Sequence, residues 1–146
     1  MTTTAIAPKR IVTAGLAAGL VLNVIDFVSN MFLLGGRTQN DLLAVNPILW
    51  DALNRPSLIA VFVAIDFVLG ILLVWLYAAI RSRFGPGPAT AFRAGLFAWL
   101  LSTLMWSFFY LMGVYSGATF ALSGVVALVN MLAAAWVGGR LYSEPA

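Results

Sequence analysis

The sequence predicts an all-α integral membrane protein, a four-helix transmembrane bundle with a short outer interfacial helix. Of its 146 residues, 62% are hydrophobic and only 9% are charged, whereas a soluble domain is about half apolar and about a quarter charged. Four apolar segments of about 24 residues are each long enough, as a helix, to cross a hydrocarbon core of about 30 Å. None shows the alternating polarity that a membrane β-barrel requires.

The four predicted spans form a single domain with short connections. They are residues 11–34, 57–80, 91–114 and 118–141. The first span follows Lys9 and Arg10, as the apolar part of a signal peptide would. It is too long for a signal peptide and contains polar residues, so we interpret it as a retained helix.

Basic residues predict how the spans are oriented. They precede the first span, occupy the loop at 81–90 and end the fourth span at Arg140, whereas the third loop is uncharged. The loop at 35–56 balances two arginines with two aspartates. Because cytoplasmic loops carry the excess of Lys and Arg, we expect both termini and loop 81–90 in the cytoplasm.

The outer loop at 35–56 contains a helix-start signal. Asn46 can cap a helix whose first residue is Pro47, and residues 48–53 form a short amphipathic segment. We expect this segment to lie on the membrane interface, with Trp50 among the lipid headgroups. It would act as a cap over the bundle, or alternatively as a gate or a docking element for a partner.

The tetrapeptide Ile-Asp-Phe-Val occurs twice, around Asp26 in the first span and Asp66 in the second. Carboxylates inside membrane spans are costly and rare, which makes each a candidate functional residue. Counting residues from the outer ends of the antiparallel spans places both about 12–13 Å below the outer surface. We therefore expect them at one depth, with Asn23 and Asn130 nearby.

Two interpretations of this polar core remain open. The sequence has no His, and no Lys or Arg lies at this level to balance the carboxylates. Two close carboxylates in a low dielectric share a proton or hold a cation, as in a proton relay or cation site. The same groups could instead form a protonated Asp–Asp or Asp–Asn hydrogen bond that joins helices, worth about 0.6–2 kcal/mol.

Small residues predict where helices approach each other. Gly15 and Gly19 form a GxxxG motif on the face of the first span that carries Asn23 and Asp26, and Gly70 lies on the Asp66 face of the second. We expect these faces to meet inside the bundle.

The third span is rich in aromatic side chains. Trp99, Trp106 and Tyr110 align on one helical face. They are interpreted as an interfacial belt and core packing. Alternatively, they form the wall of a site for a flat or isoprenoid ligand such as a quinone, a carotenoid or a drug-like cation.

Several function classes are not expected. The chain has no Cys and no His, which excludes disulfides and iron–sulfur clusters and removes the usual zinc and haem ligands. No catalytic triad or phosphate-binding loop is present, so we expect no enzyme, metal or cofactor. Basic residues flank the spans rather than forming a patch, so no nucleic-acid partner is expected either.

Two segments carry a resemblance to a known group of proteins: the opening Ala14-Gly15-Leu16 and the run Trp75-Leu76-Tyr77-Ala78-Ala79-Ile80-Arg81-Ser82-Arg83-Phe84-Gly85-Pro86-Gly87-Pro88. By these segments the chain resembles a group of small four-span bacterial membrane proteins with no assigned activity. The resemblance covers most of the chain and implies the same topology and a bacterial inner membrane. In size the chain also resembles the small multidrug resistance transporters. Those carry an essential Glu in the first span, and Asp26 together with the long first loop departs from their pattern.

Two functions follow as hypotheses. The first is a small binding or transport protein whose polar core handles protons, a cation or an amphipathic molecule. The alternative is a non-catalytic accessory subunit of a larger membrane complex that contacts lipid, quinone or pigment. The lipid bilayer is the expected surrounding in both cases, and a homo-oligomer is compatible with either.

Overall fold

The computed structural model describes residues 8–142, and helices fill almost all of them. The elements are α1 (Pro8–Ser29), a π-helical turn (Asn30–Leu34), α2 (Gly35–Val45), α3 (Pro47–Leu53), α4 (Pro56–Phe84), α5 (Pro88–Leu111) and α6 (Gly117–Leu141). Four of these stretches are long and apolar enough to cross a membrane. The predicted transmembrane four-helix bundle with a short additional helix is confirmed, and the protein is a multi-pass membrane protein.

The first helix is longer than the sequence predicted. It continues from Pro8 to Val45 as one stretch of 38 residues, so the first half of the expected loop at 35–56 is helical. At about 1.5 Å per residue this stretch is roughly 57 Å long, well beyond a hydrocarbon core of about 30 Å. Gly35 and Gly36 do not end the helix, because the Gly35 N–H bonds to the Asn30 carbonyl. Further along the same stretch, Leu42 is buried.

The short helix α3 begins as the sequence predicted. Asn46 has an extended backbone, and its side chain accepts a hydrogen bond from the Ile48 N–H at 3.0 Å. Pro47 occupies the first helical position, where its missing N–H costs nothing.

The connection between α5 and α6 is a tight turn. The third span ends at Leu111, three residues earlier than predicted, and Gly113 adopts a φ of 73° that favours glycine. Ser116 then caps α6 by accepting from the Thr119 N–H at 3.3 Å. The Asp41 carboxylate of α2 accepts from both the Ser116 N–H (2.9 Å) and the Ser116 hydroxyl (3.0 Å). The extended first helix is thereby tied to the start of α6.

The helices pack tightly in only one half of the bundle. We call the end where α1 starts and α6 stops the terminal face, and the opposite end, with α2, α3 and the 112–116 turn, the loop face. Residues 56–69 of α4 and 96–111 of α5, which lead to the loop face, include no buried residue. The buried apolar side chains all lie toward the terminal face, apart from Leu34 and Leu42: Ile11, Ala14, Ala18, Leu22, Leu73, Val74, Tyr77, Ala78, Ala91, Ala94, Ala134, Ala135 and Tyr142.

The backbones of α1 and α4 touch at three glycines. A Cβ at Gly15 would lie 2.5 Å from the Ile71 Cα, and one at Gly19 would lie 2.7 Å from the Phe67 Cα. A Cβ at Gly70 would overlap the Gly19 nitrogen and the Gly15 carbonyl oxygen. Small residues allow this approach, which supplies packing energy between helices in a lipid environment.

We expect Gly70→Ala to destabilise the protein by about 1–3 kcal/mol, the usual cost of overpacking, because the added methyl group meets backbone atoms that cannot move independently. Gly124→Ala is the matched control in another membrane helix, since its Cβ would meet nothing within 4 Å. This control should be neutral or stabilised by up to about 1 kcal/mol through helix propensity. Unfolding titrations in detergent micelles measure both, and equal stabilities would contradict the proposed crossing.

Candidate functional site

Asn130 joins α6 to α1 inside the bundle. Its side chain is only 3% exposed. Its Nδ2 donates to the Asp26 Oδ1 at 2.7 Å and to the Leu22 carbonyl at 3.3 Å. Both neighbours are acceptors, which fixes the amide with its nitrogen toward α1. The predicted residues Asp26 and Asn130 are therefore brought together, across helices that are far apart in the sequence.

This orientation leaves the other end of the Asn130 amide without a partner. Its Oδ1 is buried and accepts no hydrogen bond from any residue between 8 and 142. A buried acceptor without a donor costs about 1–3 kcal/mol. The site therefore has an oxygen that a proton donor or a cation would satisfy.

Asp66 lies on the face of α4 that meets α1. Between Ile59 and Leu69, only Asp66 and Phe67 are partly shielded, and their neighbours in this stretch are exposed. No donor in the described part of the chain reaches the Asp66 carboxylate.

The two carboxylates do not lie at the same depth, which corrects the expectation from span boundaries. Close approaches pair Gly15 with Ile71 and Gly19 with Phe67. Extended along this antiparallel register, Asp66 falls about six residues, or roughly 9 Å, from the level of Asp26, on the side nearer the terminal face. Side chains lean toward the N-terminus of their helix, so in antiparallel helices these two lean toward each other.

Asn23 lies between the two levels. Its Nδ2 donates to the Gly19 carbonyl at 3.0 Å and to the Val63 carbonyl of α4 at 3.3 Å. The first helical hairpin is thus joined by an asparagine rather than by a pair of carboxylates. Asp26 instead connects α1 to α6.

The site also contains residues that the sequence analysis missed. The Asp26 carbonyl accepts from the Ser29 hydroxyl at 3.1 Å and from the Asn30 Nδ2 at 2.9 Å. The π-helical turn begins at Asn30, directly after these bonds. Such turns are rare and often lie at functional sites. The available signal was the pair Ser29-Asn30, since both side chains can bond a carbonyl one turn earlier.

The chemistry of this cluster is defined by an excess of acceptors. The Asp66 carboxylate, the second oxygen of Asp26 and the Asn130 Oδ1 have no donor among the described residues. No basic residue occurs in the sequence between Ile11 and Leu34 or between Ser57 and Ile80. The described residues contain no group of three His, Cys, Asp or Glu side chains that could hold a metal ion. The arrangement suits a proton, a monovalent cation or a cationic group.

The three aromatic residues of α5 that the sequence analysis named have different partners. Trp99 donates its indole N–H to the Gly124 carbonyl of α6 at 2.8 Å. This bond holds its ring against α6.

The other two aromatic residues have separate partners near the loop face. Trp106 stacks on Tyr115 with ring centroids 5.8 Å apart, and Tyr110 stacks on Phe120 at 5.2 Å. Burial and the nearby Asp41 carboxylate raise the pKa of Tyr115, so its phenol stays neutral. These contacts pack aromatic rings of α5 against the 112–116 turn and the start of α6.

Comparisons with known proteins give no assignment: no family model, no curated protein and no solved structure matches the chain.

We expect Asn130→Ala to lower the free energy of unfolding by about 0.6–2 kcal/mol, because it removes two hydrogen bonds between α6 and α1. A double-mutant cycle with Asp26→Ala isolates the side-chain bond from the bond to the Leu22 carbonyl. The measurement is unfolding in detergent micelles. Additive effects of the two substitutions would show that the 2.7 Å contact contributes nothing to stability.

Proposed function

We propose that this protein is a small binding or transport protein whose carboxylates, Asp26 and Asp66, exchange a proton for a small cation or a cationic amphipathic molecule. The observation that carries the proposal is a set of acceptors that have no donor among the described residues: the buried Asn130 Oδ1, the second oxygen of Asp26 and the Asp66 carboxylate. A structural clasp needs only the bond between Asp26 and Asn130. It does not require a second carboxylate that lacks a donor.

The electrostatics of the two aspartates support a site that exchanges a proton for a cation, because both carboxylates cannot stay ionised without a positive charge. Bringing two ionised carboxylates into a low-dielectric environment is strongly unfavourable, so at least one positive charge must accompany them. Binding a proton satisfies this condition, and so does binding a cation. The two ligands therefore compete for the same oxygen atoms, which is the basis of coupled exchange.

The packing of the bundle supports access from the loop face. The halves of α4 and α5 that lead to this face have no buried residues. Asp66 faces α1 but is only half-buried. A cation with an apolar body could reach it along the open side of α4 without displacing the core near the terminal face.

The proposal includes an orientation and a location. Lys9, Arg10, Arg81, Arg83 and Arg140 flank the terminal face, whereas the loop face has two arginines and two aspartates. By the positive-inside rule, the terminal face is cytoplasmic and ligands enter from outside. The membrane we propose is the bacterial inner membrane, as the resemblance to small four-span bacterial proteins implies.

The test is proton flux in proteoliposomes that contain a pH-sensitive dye and carry an outward gradient of potassium, sodium or a lipophilic cation. We expect protein-dependent proton movement with at least one of these gradients. Asp26→Asn and Asp66→Asn should each reduce it to the level of empty liposomes, because neither amide can bind a proton and release it.

Asp51→Asn is the matched control, since Asp51 is an exposed carboxylate on α3, outside the cluster. It should retain the flux of the unmodified protein. Size-exclusion chromatography establishes that each variant remains folded. Folded Asp26→Asn and Asp66→Asn variants with undiminished flux would overturn the proposal, and so would an unmodified protein that moves no protons with any gradient.

The second candidate function is an accessory subunit of a larger membrane complex. A surface that another subunit could contact is the apolar side of α5 near the loop face, where Leu104 is 65% exposed and Leu111 is 74% exposed. If this surface binds another subunit, the protein should co-purify with a stoichiometric partner from native membranes in mild detergent. Leu104→Asn should release that partner, whereas Val12→Asn, on an exposed part of α1, should not. Recovery of the protein alone would contradict this alternative.

A further inference from the structure

A cleft opens at the terminal face, away from the carboxylates. It lies between the ends of α4 and α6 and the start of α5, and its volume is about 270 Å³. The polar side chains that line it are Tyr77, Arg81, Trp136, Arg140 and Tyr142. The loop at 86–88 closes one side.

Two tyrosine hydroxyl groups in this cleft have a hydrogen atom to donate. Tyr142 is 4% exposed, and its hydroxyl has no hydrogen-bond partner among the described residues. Tyr77 is 2% exposed, and its oxygen accepts from the Gly87 N–H at 3.2 Å. That bond uses the oxygen of Tyr77 and leaves its hydrogen for an acceptor. Buried hydroxyl groups normally have partners, and residues 8–142 provide no acceptor for these two hydrogen atoms.

Aromatic rings position the two guanidinium groups of the cleft. The Arg140 Cζ lies 4.8 Å from the centre of the Trp136 ring, and the Arg81 Cζ lies 5.9 Å from the centre of the Tyr142 ring. A cation–π contact engages the face of a guanidinium group, whereas its N–H donors project from the edge. Arg140 makes no hydrogen bond or ion pair with any residue between 8 and 142.

Tyr77, Arg140 and Tyr142 therefore supply donors and positive charge, and none of the described residues that line the cleft carries a carboxylate. Its ligand must be negatively charged and rich in acceptor oxygens. Phosphate fits this description, and arginine binds phosphate through parallel N–H donors.

We propose that this cleft binds the phosphate of an anionic phospholipid. The cleft lies at the ends of membrane-spanning helices, where lipid headgroups are concentrated, and basic pockets between such helices bind anionic headgroups. Trp136, which is 39% exposed, is an aromatic residue suited to the interface. Six of the eight basic residues flank this face and favour anionic lipid there: Lys9, Arg10, Arg81, Arg83, Arg93 and Arg140.

The experiment is native mass spectrometry of the full chain, delipidated in detergent and titrated with phosphatidylglycerol or with phosphatidylcholine of the same acyl chains. The unmodified protein should retain phosphatidylglycerol in preference to phosphatidylcholine. Arg140→Gln should abolish this preference, and Tyr142→Phe should reduce it several-fold. Arg83→Gln is the matched control, because Arg83, like Arg140, is in the last turn of a helix that ends at the terminal face but lies outside the cleft, and it should keep the preference.

Three results would overturn the proposal. The first is equal retention of both lipids by the unmodified protein. The second is an Arg140→Gln variant, or if that variant is unfolded a Tyr142→Phe variant, that behaves like Arg83→Gln. The third is displacement of phosphatidylglycerol by an equal concentration of glycerol 3-phosphate, which would identify a soluble phosphate as the ligand.

Glu144 provides a further control, because this carboxylate follows Tyr142 by two residues in the sequence. Glu144→Gln should leave the preference for phosphatidylglycerol unchanged or strengthen it. If lipid binding appeared only in this variant, the chain's own carboxylate would be the ligand of the cleft, and the proposal would be wrong for the unmodified protein.

Discussion

The contact between the backbones of α1 and α4 is the constraint on which the rest of the structure depends. Helices in a membrane gain little from apolar burial, since lipid chains are as apolar as leucine, so close packing must hold them together. Gly15, Gly19 and Gly70 allow that packing and also set how far one helix is displaced along the other. This displacement brings the Asn23 amide to the Val63 carbonyl. It also determines that Asp66 lies nearer the terminal face than Asp26.

The two proposed sites differ in which hydrogen-bonding groups lack a partner: acceptors at one site and donors at the other. Among the described residues, there are more acceptors than donors around Asn130 and Asp26, whereas Tyr142 and Arg140 of the cleft are donors without acceptors. A low dielectric makes each imbalance costly until a ligand of matching charge is present. The two proposed sites would therefore suit ligands of opposite sign.

The sequence was sufficient for features that depend on local chemistry, and insufficient for features that depend on register. Apolar length predicted the four spans, and Asn46-Pro47 predicted the start of α3, because hydropathy and capping act within a few residues. The relative depth of Asp26 and Asp66 was predicted wrongly, since the ends of apolar segments do not determine where two helices cross. Arg140 was interpreted only as a sign of topology, because its position beside Trp136 and Tyr142 depends on how α4, α5 and α6 assemble.

The π-helical turn between Asn30 and Leu34 gives the first helix a mechanical property. Asp26 fastens this helix to α6 on one side of the turn, and Asp41 fastens it on the other. A π-helical turn accommodates one residue more than an α-helical turn, so its relaxation would rotate one fastening relative to the other by about 100°. The Asp26–Asn130 and Asp41–Ser116 bonds cannot both remain after that rotation. Breaking the bond between Asp26 and Asn130 would remove one fastening, and relaxation of the turn would then couple the core of the bundle to the twist of the helix at the loop face.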